Sequence, residues 1–140
     1  MKPVILAAVR PQGGVAVRRA LGEYAEVVPV YAYADAVATL RARSDIDLVL
    51  CGMFFDETRA FDLLRLVRVE RAALPFIACR IGSRTVAPVM AEAMGIAATS
   101  MGAAAFIDMP LLDADVATDG EFRSLVLRHI RPRQMGTDPI

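Results

Sequence analysis

Few residues in this sequence can do chemistry, and most of them stand alone. There is one lysine, Lys2, one histidine, His129, and two cysteines, Cys51 and Cys79, against 15 arginines. The cysteines sit near the ends of adjacent apolar runs, so a redox pair is one reading. No Lys or His lies near either in sequence to lower a thiol pKa, and free cysteine usually packs as a small hydrophobe, which favours a structural role. His129 falls in the last turn of a C-terminal helix, where the helix end suits it better than acid–base work without a partner. Asp56 lies in a loop with no carboxylate cluster or lysine beside it to bind a metal, and reads as a solvated acid or a helix cap. The one constellation with convergent groups is Gly13-Gly14 at the start of a helix, with Arg10 and Arg80 at the same edge. Backbone N–H groups and guanidinium groups there could hold an anion. The dinucleotide glycine fingerprint and the P-loop lysine are both missing, so a plain tight turn competes with the anion site.

Those residues sit in a chain of 140 residues, the size of one domain, with 56% hydrophobic and 23% charged residues. Such a composition excludes a disordered chain. Lys+Arg and Asp+Glu cancel at 16 each, so no net field draws the molecule to nucleic acid or an acidic membrane. Two cysteines are too few for a disulfide framework and no apolar leader is visible, so a reducing, cytoplasmic setting is expected. From Val86 to Phe106 the only charge is Glu92, but Ala, Gly, Met and Pro88 dominate there, which is poor material for a membrane span.

Periodicity places the elements. Apolar runs at Val4–Val9, Val27–Ala32, Asp47–Cys51, Pro75–Cys79 and Ala104–Asp108 read as strands, the continuous ones buried on both faces. Between them, helical spacing predicts helices at Val15–Glu23, from Asp35 to Arg43, Phe61–Arg71, Pro88–Met101 and Gly120–His129. Arg10-Pro11-Gln12-Gly13-Gly14 reads as punctuation. Strict strand and helix alternation predicts an α/β fold, a parallel five-stranded sheet between two helical layers. One domain is expected over 1–130, with 131–140, containing Pro132, Gly136 and Pro139, as a flexible tail or linker stub.

The ordered landmarks resemble the receiver domain of two-component response regulators over about Lys2–Arg128. Lys2-Pro3-Val4-Ile5-Leu6 resembles the first strand, and Glu26-Val27-Val28-Pro29-Val30 followed by Ala36-Val37-Ala38-Thr39-Leu40 the second strand and helix. Asp47-Leu48-Val49-Leu50 and Phe61-Asp62-Leu63-Leu64 resemble the third strand and helix; Pro75-Phe76-Ile77, and Gly102-Ala103 through Met109-Pro110, the last two strands. The resemblance implies a flavodoxin-like three-layer α/β/α fold with strand order 2-1-3-4-5. It also implies a phospho-acceptor Asp after strand three, an acidic pair for Mg²⁺ after strand one, a hydroxyl after strand four and a lysine after strand five.

At those positions the chain has Gly52, then Ala8 and Val9, then Arg80, then Met109. None can do the family's chemistry, so no metal, Mg²⁺ included, and no cofactor is expected. Arg80 could instead pair with Asp108 or Asp56. The resemblance puts the signalling face at the fourth helix and fifth strand, with Phe106 at an aromatic switch position. There Val89, Met90, Ala93, Met94, Ala97, Ala98 and Met101 exceed what one helix face buries, which means either a better-covered core or a Met- and Ala-rich docking face. The expected function is a degenerate, phosphorylation-independent regulatory module that binds a protein partner or a second copy through helix four, with no direct nucleic-acid or membrane contact. The alternative is a small anion- or nucleotide-binding regulator using Arg10, Gly13, Gly14 and Arg80. An enzyme has no acid/base pair to support it.

Overall fold

The computed structural model describes residues 2–83, 86–112 and 115–130; the expected tail, 131–140, lies outside them. The chain alternates β1 (Val4–Ala8), α1 (Pro11–Leu21), β2 (Glu26–Val30), α2 (Tyr33–Ala42), β3 (Leu48–Gly52), α3 (Ala60–Glu70), β4 (Phe76–Ile81), α4 (Pro88–Ser100), β5 (Ala105–Met109) and α5 (Val116–Leu127). The strands form one parallel sheet in the order β2-β1-β3-β4-β5. This is the expected flavodoxin-like order. All of β1 and all of β3 but Gly52 are buried, so side chains of alternating parity fill two cores. Leu6, Val49, Cys51 and Phe76 face α2, α3 and Ala98 of α4, whereas Ile5, Leu50, Ile77 and Cys79 face α1 and α5. β2 is an edge strand and carries Pro29, which has no N–H to donate to a further strand.

α3 begins one residue before the expected Phe61, and three helix starts differ by two residues or more, each for a physical reason. α1 begins at Pro11, not Val15. Proline fits the first helical turn, where its missing N–H costs nothing, and Gly13 and Gly14 are helical residues buried against the sheet edge. α2 begins at Tyr33, not Asp35, because the Asp56 carboxylate accepts the Tyr33 N–H at 2.8 Å from the loop after β3. α5 begins at Val116, not Gly120, because Asp115 accepts the Thr118 N–H at 2.9 Å as an N-cap, satisfying a donor that the first helical turn leaves open.

Arginines tie the element ends. Arg71 donates to the carbonyls of Leu40 and Arg43, both at 3.2 Å, closing the end of α2. Arg19 of α1 grips Asp119 of α5 with two bonds of 2.8 and 2.9 Å and also reaches the Leu111 carbonyl. Arg68 bridges from α3 to the carbonyls of Leu74 and Gly102. Gly102, which closes α4, has φ +105°, and a Cβ there would stand 2.7 Å from Arg68 Cδ. Gly102→Ala should therefore lower stability by about 1–3 kcal/mol. Chemical denaturation measures it, and a neutral substitution would show that the turn and Arg68 move freely.

Candidate functional site

The loops leaving the carboxyl ends of the strands in a parallel sheet form its natural crevice. β1 and β3 end here on residues without titratable side chains. Ala8 is fully buried and Val9 nearly so. Gly52 follows Cys51, and a Cβ added to it would meet Val9 Cγ1 at an ordinary 3.7 Å, so space does not require glycine there. Met109 is buried in the α1/α5 core. Lys2 is at the amino end of the sheet, bonded to the Gly22 carbonyl at 3.1 Å.

One charge pair crosses this edge. Arg80 and Asp108 are register partners on β4 and β5, so their side chains leave the same face of the sheet. An Arg80 Nη–H faces Asp108 Oδ1 at 3.3 Å, with the side chains 21% and 8% exposed. The other carboxylate oxygen accepts the Val86 N–H at 3.0 Å. Asp108 thus joins β4, β5 and the segment entering α4. Of the two partners the sequence offered Arg80, the structure forms the Asp108 contact; Asp56 is occupied at Tyr33. Asp56 and Glu57 both have positive φ, 44° and 65°, a tight reversal that aims the Asp56 cap at α2.

The candidate anion residues lie close together, but Arg10, Gly13 and Gly14 do so as the start of a helix. Arg10 is exposed and precedes Pro11 at the start of α1, where its own side chain makes no cap. Gly13 sits over Val9 and Ile81, and Gly14 against the Tyr31 ring. The Gly14 N–H is spent on the Arg10 carbonyl at 2.9 Å, so it is not offered to a ligand. Arg10, Gly13, Gly52 and Arg80 border one cleft of about 60 Å³, together with Val9 and Phe54. Among the described residues no group of three or more His, Cys, Asp or Glu side chains could hold a metal ion.

The cysteines do not form a pair. Cys51 is opposite Ala78 in the β3–β4 register while Cys79 is opposite Gly52, so the two thiols lie on opposite faces of the sheet. Both are fully buried, and burial pushes the Cys79 thiol up to about 12 and Cys51 well above its usual value. His129 falls just past α5 rather than within its last turn. Burial first, and the neighbouring Arg128 charge second, hold its pKa below the ordinary value.

The residues of the expected interaction face divide. Val89, Met90, Ala93 and Ala97 are exposed on α4, Met94 and Met101 are half-buried, and Phe106 of β5 packs under Gly95 of the helix. Ile96, absent from the expected set, is 60% exposed beside Val89 at 77%. Ala98 is the one buried residue of this helix. The 13-residue α4 ends before β5, and no described helix is long and apolar enough to cross a membrane.

No family model matches the chain, and no curated protein does. Solved structures do. The chain is similar to HP1043, described as an orphan response regulator of H. pylori, with TM-score 0.70 and 11% identity over 94% of this chain and all of that one. It is similar to a response regulator from Thermotoga maritima, with TM-score 0.68 and 22% identity over 93% of this chain and 98% of that one. NtrX from Brucella abortus gives TM-score 0.72 and 19% identity over 96% of this chain but 28% of its own length. The fold is that of response-regulator receiver domains.

The Arg80–Asp108 geometry makes a quantitative claim. Asp108→Ala leaves a half-buried guanidinium and the Val86 N–H short of an acceptor and should cost about 1–3 kcal/mol. Asp108→Asn keeps an acceptor for Val86 and should cost less. Unfolding of both, with Arg80→Met in a double-mutant cycle, should give a coupling of about 0.5–3 kcal/mol; strictly additive losses would show that the pair contributes nothing.

Proposed function

From a receiver-type fold, we propose that this chain is a degenerate receiver-like domain, a cytoplasmic regulatory module in which binding replaces phosphorylation. The carrying observation is the carboxyl edge. Phosphoryl transfer to an aspartate needs a carboxylate acceptor, oxygen ligands for Mg²⁺ and a cation to balance the transferring charge. The corresponding positions hold Gly52, the buried Ala8 and Val9, and Met109 in place of lysine. Arg80, at the hydroxyl position, is joined to Asp108. These residues do not fit a bound Mg²⁺.

Helix α4 supports the binding half of the reading. A soluble surface rarely gathers large apolar groups without use, and Val89, Met90 and Ile96 stand exposed on one helix with Ala93 and Ala97 between them. A second copy of the chain is the favoured partner. An isologous contact meets its own surface, so it must be free of like-charge repulsion, and Glu92 is the only charge from 86 to 106. Small alanines allow two such helices to approach closely.

Two measurements test the reading. Treatment with acetyl phosphate and Mg²⁺ should leave the intact mass unchanged, and should do the same to Gly52→Asp, whose Cβ meets only ordinary contacts but which restores neither metal ligands nor lysine; an acid-labile adduct on any Asp of the unaltered chain overturns the reading. Light scattering should show a dimer at high concentration that Ile96→Glu converts to a monomer. A strict monomer at every concentration removes the second copy as partner.

A further inference from the structure

The carboxyl edge holds a feature that the interaction reading leaves unused: two clefts that meet at Arg10. The narrower, about 60 Å³, is bordered by Arg10, Phe54 and Arg80. By that measure it takes roughly four waters, room enough for a single phosphate or carboxylate group. The wider, about 370 Å³, is bordered by Arg10, Tyr31, Phe54, Asp56 and Glu57, within the range of small-molecule sites. Arg10 and Phe54 border both.

The side chains at this junction lack a local explanation. Tyr31 is 46% and Phe54 49% exposed, although large rings normally gain most by burial. Arg10 precedes α1 with no acid in the first turn, and a cation at that end opposes the helix dipole. Arg19, Arg41, Arg43, Arg59, Arg65 and Arg80 all reach carboxylates; among the described residues Arg10 forms no ion pair. Gly14 contributes by its size, since a Cβ there would stand 3.1 Å from the Tyr31 hydroxyl. The glycine lets the ring lie along the helix beside the cleft.

We propose that the joined clefts bind a small planar aromatic molecule carrying one anionic group, the anion at Arg10 in the narrow cleft and the ring against Tyr31 and Phe54. Guanidinium supplies charged donors for a phosphate or carboxylate, and aromatic walls stack flat rings with little regard to their identity. The carboxylates of Asp56 and Glu57 border the wide cleft and disfavour a second anionic group there, as unpaired like charge selects against wrong ligands. Asp56 itself is held by the Tyr33 N–H, so its charge stays in place.

Phenyl phosphate, adenosine 5′-monophosphate and benzoate, titrated into the ¹⁵N-labelled chain, test the proposal, with inorganic phosphate and adenosine as half-ligands. Saturable shifts at Gln12, Gly13, Tyr31 and Phe54 are expected, with at least one aryl anion bound about ten-fold or more tightly than either half-ligand. The phosphate and carboxylate arms show which anion is preferred. Arg10→Gln should weaken that binding about ten-fold or more, the weight of a charged hydrogen bond. Phe54→Ser should weaken the aryl anions and leave inorganic phosphate unchanged. Both substitutions are at exposed positions and leave α4 untouched, so circular dichroism checks folding and the dimer test stands apart. No shift at millimolar aryl anion, shifts confined to other surfaces, or equal binding by folded variants overturns the proposal.

Discussion

The strands β1, β3 and β4 are covered on both faces, and most of the molecule follows from meeting that condition. A parallel strand so placed satisfies its polar backbone only through its neighbours and buries every side chain, so its residues must be apolar on both parities. Val4–Ala8, Leu48–Cys51 and Phe76–Cys79 do this, with no charged side chain in any of the three stretches. Each parallel crossover then needs a helix, and the helices must divide between two layers. The same parity separates Cys51 from Cys79. It also puts Arg80 and Asp108 on one face just where β4 and β5 leave the core, close enough to pair.

The long arginine list acquires a purpose in this frame. A sheet with five helices has many element ends whose last carbonyls lack helical partners, and a planar guanidinium, with five N–H donors in a rigid fork, can serve several at once. Arg71 serves the end of α2, Arg68 the turn after α4, Arg19 the α1–α5 seam and Arg123 the Ala20 carbonyl. The exposed pairs, such as Arg41 with Glu70 and Arg43 with Asp45, add little, because water screens them. The Arg10 side chain is apart from all of these: it makes no cap at the start of α1, and it stands at a junction of clefts.

Helix α4 is the other departure from economy. Its inward side is small, with Gly95 on Phe106 and Ala98 buried, so it lies close to β5 with little side chain between. Its large residues, Val89, Met90 and Ile96, are left outside. A helix of this composition does not announce which side is inward, because apolar residues occur all round it. That is why Met101 and Phe106 were legible as candidates for an exposed face though they pack against the core, and why Ile96 was not singled out.

Order and type of the elements were readable from the chain, since the spacing that makes a strand or helix is set by residues a few positions apart. Five strands, five helices and the sheet order follow from apolar runs, helical stripes and the landmarks shared with receiver domains. The emptied positions Gly52, Ala8, Val9 and Met109 were legible in the same way, because a missing functional group is visible in the letters alone. Only the tertiary structure decided where α2 begins, which partner Arg80 takes, and that Gly13 and Gly14 are packing residues of α1. Those outcomes depend on contacts 23 residues apart for Tyr33 and Asp56 and 28 apart for Arg80 and Asp108. Caps, ion pairs and clefts are made by chain segments that meet only after the sheet has formed, so local spacing carries no record of them.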